Sequence, residues 1–446
     1  MNTNNDEYIE KAISEVEPVF RCVLDLYNRT PLDTNPQNFE CISTYPPFSS
    51  MREYSSDVVF INSMPDVVGI YIHFPFCKRS CDYCYYIKTE SDNIELIEKY
   101  IKAVKKEIQF YAEKIKYTTV KYIYFGGGTP TAIDKSFIID VINEIYSLFS
   151  VAEDVEFTCE GCPVTLSDDM LSFLKSVGIN RISIGIQSFD KDVLIAMNRE
   201  QTIPYTSTLI TNLHKHFDKR FNIDMIFGHH ASNRNSLYKD LEMLRQYSIP
   251  SVSYYQIWLC HPTPAKLKSE HITFDELLYQ RMIIDSYLKI LKYKNDVTDL
   301  YINNDNASFK FLRHKWTNKD HIGIGVGSHG YINGVLYRNY GAAGENAAQS
   351  IIGYVDLINK NKHGVNMLYK LSEKEIERRR VFLGLKLNEY LEYPKTDILP
   401  PIEDLLNVKL IEKENNCIKL SDEGFLMLNM VLKYLCGYSF FDYSRV

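Results

Sequence analysis

The sequence predicts an α/β protein whose core is an open, partial TIM-like barrel of six βα units, a (βα)6 arrangement. Two observations predict this fold class. From residue 67 onward, short β-branched or aromatic runs alternate with longer stretches of helical period, which is typical of βα units around a parallel sheet. The residues suited to chemistry also fall where predicted strands end, and βα loops converge at that edge of a parallel sheet.

Six predicted strands, each followed by a predicted helix, account for residues 67–300. The strands are expected at 67–73, 120–125, 155–159, 181–186, 221–227 and 251–259, and the helices at 91–117, 135–149, 168–177, 191–197, 236–247 and 274–293. The first helix shows the clearest pattern, because Ile94, Ile97 and Ile101 recur at spacings of three and four. An N-terminal extension (1–66) precedes this barrel.

Two further regions follow the barrel. Residues 301–370 contain the Gly-rich run 323–330 and are expected to be a connecting segment that completes the core. Residues 371–446 are expected to form a helical C-terminal domain, with a Pro-rich break at 394–401 and a Leu-rich close at 426–435. The change in pattern near residue 371 predicts that this tail is a separate module.

Composition excludes several classes of protein. The chain has 50 Lys+Arg against 57 Asp+Glu, a formal charge of -7, so no basic face dominates and a nucleic-acid partner is not expected. The apolar stretch 67–76 is far shorter than the roughly 20 residues of a membrane helix, so no membrane span is expected. The acidic, polar start carries no secretory signal pattern. We therefore expect a cytoplasmic protein.

Three of the 10 cysteines are closely spaced. In a reducing cytosol, clustered cysteines indicate metal binding or catalysis rather than disulfides. Cys77, Cys81 and Cys84 form a C-x3-C-x2-C loop directly after the first predicted strand. Three thiolates suit a 4Fe-4S cluster with one iron left open to a small molecule, whereas structural zinc needs four ligands. A zinc site completed by His73, or chance spacing, is the alternative.

A glycine triplet follows the second predicted strand. Gly126, Gly127 and Gly128 precede Thr129, and a backbone without side chains can approach a ligand closely there. A tight turn is the alternative interpretation of a glycine triplet alone. Two such motifs at the ends of neighbouring strands are far more specific than either motif by itself.

These motifs carry a resemblance to a known family. The segments YIHFPFCKRSCDYC, FGGGTPT and INRISIGIQSFD strongly resemble radical S-adenosylmethionine (SAM) enzymes of the oxygen-independent coproporphyrinogen III dehydrogenase group, which includes haem chaperones and C-methyltransferases. The resemblance runs from about residue 67 to 340 and continues faintly into the tail. It implies a barrel of the radical SAM type and a 4Fe-4S cluster on Cys77, Cys81 and Cys84. It also implies SAM on the open iron and an electron donor such as flavodoxin or ferredoxin.

The resemblance further implies which residues contact SAM. The first SAM molecule is expected on Tyr71, Gly127 and Glu160, and a second on Tyr83, Gly128, Thr129, Gln187, Arg199 and Asp224, with Trp258 a weaker correspondence. The residue chemistry agrees, because Arg199 and Asp224 could pair with the carboxylate and the amine of an amino acid. A solvated loop charge is the alternative for each charged residue.

Candidate catalytic residues are Tyr71 and the pair His229-His230. The two histidines follow the fifth predicted strand, where relatives usually have a Gly-Leu-Pro type of loop. Neutral imidazole titrates near physiological pH, so they could shuttle protons or contact haem, although an ordinary loop pair is the alternative. His329 in the Gly-rich run is in a similar position, with backbone packing as its alternative. Cys159 and Cys162 flank Glu160 and are expected to be packing residues rather than ligands of a second cluster, because C-x2-C supplies only two thiolates.

Departures from the family separate the possible activities. Coproporphyrinogen dehydrogenases carry a further cysteine where this chain has Tyr86, whereas C-methyltransferases of the group often have an aromatic pair, as Tyr85-Tyr86 is here. The favoured hypothesis is transfer of a methyl or methylene unit from a second SAM to an sp2 carbon of a planar, unsaturated acceptor, such as a tetrapyrrole, a quinone or a heteroaromatic compound. Oxidative decarboxylation of a coproporphyrinogen and haem delivery by a chaperone are the alternatives.

Overall fold

The structure is a computed structural model that describes residues 7–29, 44–54, 65–257, 272–342, 345–394 and 402–436. Its strands are β1 (Arg52–Glu53), β2 (Val67–Phe74), β3 (Phe76–Cys77), β4 (Thr89–Glu90), β5 (Thr119–Gly127), β6 (Ser150–Gly161), β7 (Arg181–Gln187), β8 (Phe221–Phe227), β9 (Ser251–Gln256), β10 (Lys294–Val297), β11 (Leu300–Ile302), β12 (His321–Ile324), β13 (His329–Ile332), β14 (Val335–Asn339), β15 (Val365–Lys370), β16 (Leu391–Glu392), β17 (Ile411–Glu414) and β18 (Cys417–Leu420).

The α-helices are α1 (Glu7–Arg29), α2 (Ile94–Lys114), α3 (Lys135–Leu148), α4 (Asp168–Ser176), α5 (Lys191–Ala196), α6 (Ile203–Phe217), α7 (Arg234–Gln246), α8 (Phe274–Ile290), α9 (Lys310–Trp316), α10 (Ala347–Asn361), α11 (Glu373–Gly384), α12 (Glu403–Asn407), α13 (Asp422–Leu426) and α14 (Leu428–Cys436). Short 3-10 turns lie at Phe48–Ser50, Pro130–Ala132, Pro163–Thr165, Asp305–Ala307 and Leu385–Leu387. In the described residues no helix is long and apolar enough to cross a membrane.

The predicted partial barrel is confirmed. Strands β2, β5, β6, β7, β8 and β9 lie side by side in that order, and every neighbouring pair is parallel. Their outward side chains pack under the helices, as Ile70, Ile123 and Phe157 do without any exposed surface. Every other residue points into the barrel, so polar side chains on those strands face one shared interior.

The sheet continues beyond both edges of the barrel. Strand β12 pairs in parallel with β2, and β13, β14, β15 and β1 follow in antiparallel order, while β11 and β10 extend the edge at β9. Residues 301–370 therefore do more than connect, because they supply strands to the main sheet. Glycine at 323 is required there, since a Cβ would lie 2.2 Å from the carbonyl oxygen of His329.

A long helix after the fourth barrel strand was not predicted. The sequence pattern gave only 191–197, but the structure has the short α5 and then α6, which buries Leu209, Ile210 and Leu213. The Thr- and His-rich composition of α6 hides its apolar face, because residues of low helix propensity fill the exposed positions. Pro204 in the first turn fits a helix start, since its missing N–H has no partner there anyway.

The prediction of a helical C-terminal domain needs one correction. Helices α11 to α14 are present, but β16, β18 and β17 form a separate antiparallel sheet of three strands. Glu414 pairs with Cys417, so Asn415 and Asn416 form a two-residue turn, with Asn415 at a φ of 53°. Such a turn suits asparagine, which tolerates positive φ. In the N-terminal extension, α1 packs on α8, where the rings of Phe20 and Tyr279 lie 5.5 Å apart.

Candidate functional site

The three closely spaced cysteines lie on the loop that leaves the carboxyl end of β2. Cys77 is buried at the end of β3, while Cys81 and Cys84 are partly exposed. The hydroxyl of Thr129 donates to Cys77 Sγ at 3.6 Å, and a guanidinium nitrogen of Arg199 donates to Cys81 Sγ at 3.4 Å. Burial raises the pKa of the Cys77 thiol to about 12.

The donor set fits an iron-sulfur cluster better than zinc. His73, the possible fourth zinc ligand, is buried and has both ring nitrogens engaged, with the Tyr71 hydroxyl at 3.1 Å and the Ile87 carbonyl at 3.1 Å. Burial lowers the pKa of His73 to about 4. Within the described ranges, no three His, Cys, Asp or Glu side chains gather around one point as ligands of a single ion. A cluster needs no such gathering, because its cysteines bind different iron atoms.

The glycine triplet docks on the cysteine loop. Gly128 N–H donates to the Phe74 carbonyl and Thr129 N–H to the Phe76 carbonyl, both at 2.8 Å. A Cβ on residue 128 would lie 2.7 Å from that Phe74 oxygen. The close approach that the sequence predicted therefore occurs, but for Gly128 the partner is backbone of this chain.

A first group of polar residues lies at the ends of β2, β5 and β6. The Glu160 carboxylate accepts hydrogen bonds from the Tyr124 hydroxyl and from Gly127 N–H, the latter at 3.0 Å. The Tyr71 ring stacks on Tyr124 with centroids 5.7 Å apart. The structure thus brings together Tyr71, Gly127 and Glu160, the residues expected around the first SAM. Sequence reasoning missed Tyr124, although its position two residues before Gly126 places it on the interior face.

Glu160 should show its role through the pH dependence of ligand binding. Burial raises the pKa of Glu160 to about 7. We expect Glu160→Gln to weaken SAM binding about 10- to 100-fold above pH 7, since hydrogen bonds to charged groups contribute about 1.5–3 kcal/mol. The difference should shrink as the pH falls below 7, because protonation removes the wild-type charge. Equilibrium dialysis of SAM against reconstituted protein measures this, with the exposed Glu153→Gln on the same strand as control. Equal binding by Glu160→Gln and wild type at pH 8 would contradict the assignment.

A second group converges on Gly185 of β7. An Arg199 guanidinium nitrogen donates to the Gly185 carbonyl at 2.5 Å, and Asp224 is its register partner on β8. A Cβ on residue 185 would lie 2.6 Å from Gln187 Nε2. Gln187 is buried at a φ of 71°, which aims its side chain back toward Gly185. Three of the residues expected around a second SAM are therefore neighbours.

Arg199 joins this second group to the cysteine loop. Besides Cys81, it donates to the Tyr83 hydroxyl at 3.1 Å and to Gln201 Oε1 at 2.8 Å. Asp224 accepts from Asn222 at 2.8 Å and from Ser183 at 3.3 Å, while burial raises the pKa of Asp224 to about 6. These charges are half-buried and hydrogen bonded, which argues against the alternative of solvated loop charges.

The remaining candidate residues are not part of these two groups. Trp258 lies outside the residues that the structure describes. His229 is buried, its Nδ1 accepts from Ala231 N–H at 3.1 Å, and burial lowers its pKa to about 4. Its ring lies 4.2 Å from that of His230, and no described hydrogen bond links either histidine to the two groups above. Their catalytic role remains a prediction.

The remaining cysteines and His329 have packing contacts. Cys159 is fully buried in the core, and Cys162 lies 3.4 Å from the Thr165 hydroxyl at the start of a 3-10 turn. The ring of His329 packs on Phe48, with centroids 4.0 Å apart. The seven cysteines whose side chains the structure describes have no disulfide partner.

Comparison with known proteins identifies this arrangement. Residues 71–244, which contain the cysteine loop, the glycine triplet and Gln187, match the radical SAM superfamily. The haem chaperone HemW of Lactococcus lactis is 26% identical over 387 residues, 81% of this chain and 96% of that protein. The oxygen-independent coproporphyrinogen III oxidase of Bradyrhizobium diazoefficiens is 31% identical over 188 residues, 42% of each chain.

A solved structure extends the comparison to the fold. Coproporphyrinogen III oxidase (HemN) from Escherichia coli superimposes with a TM-score of 0.77 at 19% sequence identity, over 91% of this chain and 99% of the other. The radical SAM fold implies a 4Fe-4S cluster and SAM, which the three thiols fit. Residues 71–244 therefore form a radical SAM domain, and the chain is similar to HemW haem chaperones and to coproporphyrinogen III oxidases.

Proposed function

We propose that this protein is a radical SAM enzyme that transfers a methyl or methylene unit from a second SAM molecule to an sp2 carbon of a planar, unsaturated acceptor. The observation that carries the proposal is the second polar group around Gly185, which lies beside the cysteine loop and is distinct from the group around Glu160. Two separate sets of charged and polar residues suit two amino-acid moieties.

The residues have distinct proposed roles. Cys77, Cys81 and Cys84 would hold the cluster, which with SAM would supply a 5'-deoxyadenosyl radical that removes a hydrogen atom. Glu160 is oriented by Tyr124 and Gly127 to accept hydrogen bonds from an amino group.

At the second site, Arg199 would bind a carboxylate and Asp224 an amine, since a guanidinium and a carboxylate make strong charge-assisted hydrogen bonds. Gln187 and Tyr83 would complete that site. Gly128, Thr129 and Trp258 are the remaining proposed contacts of the second SAM.

The aromatic pair after the third cysteine favours this reaction over decarboxylation. Tyr85 and Tyr86 stack with centroids 4.5 Å apart, and Tyr86 is 51% exposed. Aromatic faces suit a flat acceptor. A cavity of about 90 Å³ at the carboxyl ends of β8 and β9 has Tyr255 on one wall and residues 425–430 of the tail on another. This cavity supports a proposed role of the tail in acceptor access.

Haem delivery is the second candidate, and the similarity to HemW over most of the chain favours it. Oxidative decarboxylation is the third, favoured by the coproporphyrinogen oxidase relatives but disfavoured by Tyr86 at the position of their additional cysteine. The physiological reductant, a flavodoxin- or ferredoxin-like protein, and a cytoplasmic location remain parts of the proposal.

One product assay separates the three activities. Reconstituted, reduced protein is incubated with SAM and either a porphyrin, a quinone or a heteroaromatic acceptor. We expect 5'-deoxyadenosine and S-adenosylhomocysteine in equal amounts, with the added carbon in the product. Carbon dioxide with 5'-deoxyadenosine and no S-adenosylhomocysteine would establish decarboxylation instead. Stoichiometric haem binding without turnover would establish the chaperone.

A variant at the second site sharpens that assay. We expect Asp224→Asn to suppress S-adenosylhomocysteine more strongly than 5'-deoxyadenosine, because only the second SAM would depend on Asp224. The exposed Asp218→Asn, just before β8, is the control and should leave both products unchanged. Equal loss of both products in Asp224→Asn would speak against two separate SAM sites.

A further inference from the structure

Arg181 is a buried cation with no direct partner. It is the first residue of β7, only 3% exposed, and its Nε and both terminal nitrogens have no hydrogen-bond partner within the described ranges. Its guanidinium carbon lies 4.2 Å from the centre of the Phe309 ring. A guanidinium stays charged in proteins, so this site holds a permanent positive charge inside the barrel. Burying such a charge without a hydrogen bond is unfavourable unless other charges compensate it.

Three carboxylates face this charge from neighbouring strands. Glu156 and Glu160 point inward from β6, and Asp224 does so from β8. Arg181 itself is the register partner of Thr158, midway between the two glutamates. Its charge opposes the rise in pKa that burial produces in each of these three acids. Arg181 is therefore positioned as a common counter-charge.

Each carboxylate takes its hydrogen bonds from neutral donors instead. Glu156 accepts from the N–H groups of Lys310 and Phe311, at 3.1 and 2.9 Å, at the start of α9. Glu160 and Asp224 are held by the hydroxyl, amide and backbone donors described above. In a direct ion pair, the carboxylate oxygens would accept hydrogen bonds from the guanidinium N–H groups and would not be open to a ligand. A cation held on Phe309 supplies the charge while leaving those oxygens accessible to a ligand.

We propose that Arg181 is a positioning residue that keeps Glu160 and Asp224 ionised, so that each can accept hydrogen bonds from the amino group of a bound SAM. This inference rests on the proposed roles of Glu160 and Asp224. The other titratable groups that face them are Tyr71 on β2, Tyr124 on β5 and Tyr255 on β9, and burial raises the pKa of all three. Arg199, the cation of the second group, donates to the Gly185 carbonyl, Gln201 and Tyr83. No tyrosine can supply a positive charge, so Arg181 is the cation that Glu160 and Asp224 share.

The test compares Arg181→Met and Arg181→Lys with wild type. The dissociation constant of SAM is measured by equilibrium dialysis with reconstituted protein between pH 6 and 9. The ratio of variant to wild-type constants is compared at each pH, so that titration of SAM itself cancels. We expect a ratio of about ten for Arg181→Met near pH 7, because one pKa unit changes the ionised fraction by up to tenfold. The ratio should fall toward one by pH 9, and Arg181→Lys should restore most of the affinity.

A matched ligand separates this role from a structural one. Methylthioadenosine keeps the adenosine part of SAM but lacks the amino acid, so its binding should be the same in all variants at every pH. A pH-independent loss that is equal for both ligands would overturn the proposal, as would a Lys variant no better than Met. If Arg181→Met does not fold, judged by its thermal unfolding and iron content, Arg181→Gln is measured in its place.

The outcome distinguishes this inference from the proposed function. Wild-type protein that binds SAM, together with an Arg181→Met variant of equal affinity at pH 7, would overturn only the role of Arg181. Wild-type protein that binds a single SAM would overturn the second site and, with it, the part assigned to Asp224.

Discussion

Replacing Cys81 with alanine is expected to remove most of the iron and sulfide from the reconstituted protein. Cys77, Cys81 and Cys84 are the three thiols proposed to bind the cluster, so the loss of one leaves too few ligands. We expect formation of 5'-deoxyadenosine to fall more than about 100-fold, since even partners behind the ligands of metal sites contribute 10- to 100-fold. Iron and sulfide per chain, with product measured by chromatography, test this directly.

The matched control is Cys22→Ser. Cys22 is exposed on α1, far in sequence from the cysteine loop, and should leave iron content and activity unchanged. A Cys81→Ala protein that keeps a normal iron-sulfur complement would overturn the assignment of the cluster. Loss of iron in Cys22→Ser as well would indicate a general failure of reconstitution.

Replacing Glu107 with alanine is expected to destabilise the fold by about 3–5 kcal/mol, because buried donors left without an acceptor each lose about 1–3 kcal/mol. Glu107 lies on α2 and has no exposed surface. Its carboxylate accepts from Gly325 N–H at 2.9 Å, from the Tyr354 hydroxyl at 2.7 Å and from Gly364 N–H at 2.7 Å. The amide of Asn339 donates to both oxygens. This one side chain therefore ties α2 to the added strands and to α10.

Urea unfolding measures the effect, and the exposed Glu113→Gln on the same helix is the control. The pH dependence gives a second test. Burial raises the pKa of Glu107 to about 7, above its ordinary value, so the folded state binds this proton more tightly than the unfolded state. The Glu107 contribution to stability should therefore decline as the pH rises from about 4.5 through 7. Glu107→Gln should be less stable than wild type but lack this decline. An unfolding free energy of Glu107→Ala within 1 kcal/mol of wild type would contradict the role.

The cysteine loop shows what local pattern can predict. Three features predict this loop: the strand before it, its C-x3-C-x2-C spacing and the glycine triplet after the next strand. Each feature lies within a short stretch of sequence, so its neighbouring residues are enough to predict it. All six barrel strands were predicted on the same grounds, because a buried parallel strand is a nearly continuous apolar run. Helix α6 was not predicted, because Thr, Ser and His residues interrupt the apolar pattern of its sequence.

Contacts between residues far apart in sequence could not be predicted from the local pattern. Glu107 looks like any charged residue of an amphipathic helix, and its partners lie more than 200 residues away. Tyr124 and Arg181 likewise lie in strands whose local sequence does not mark them as site residues. The pairing of β12 with β2, of β11 with β9 and of β16 with β18 depends on contacts between segments that no short window covers.

The sequence by itself determined the barrel, the candidate cluster ligands and the likeness to radical SAM proteins, because spacing along one chain dictates which side chains share a loop or a face. Only the tertiary structure decided which charges meet. Arg199 reaches Cys81 and Gly185, and Arg181 faces Glu160 and Asp224, because parallel register sets neighbouring strands side by side. Burial then sets the strength of these interactions, since a charge inside the barrel is shielded from water and acts over distances that a solvated charge does not.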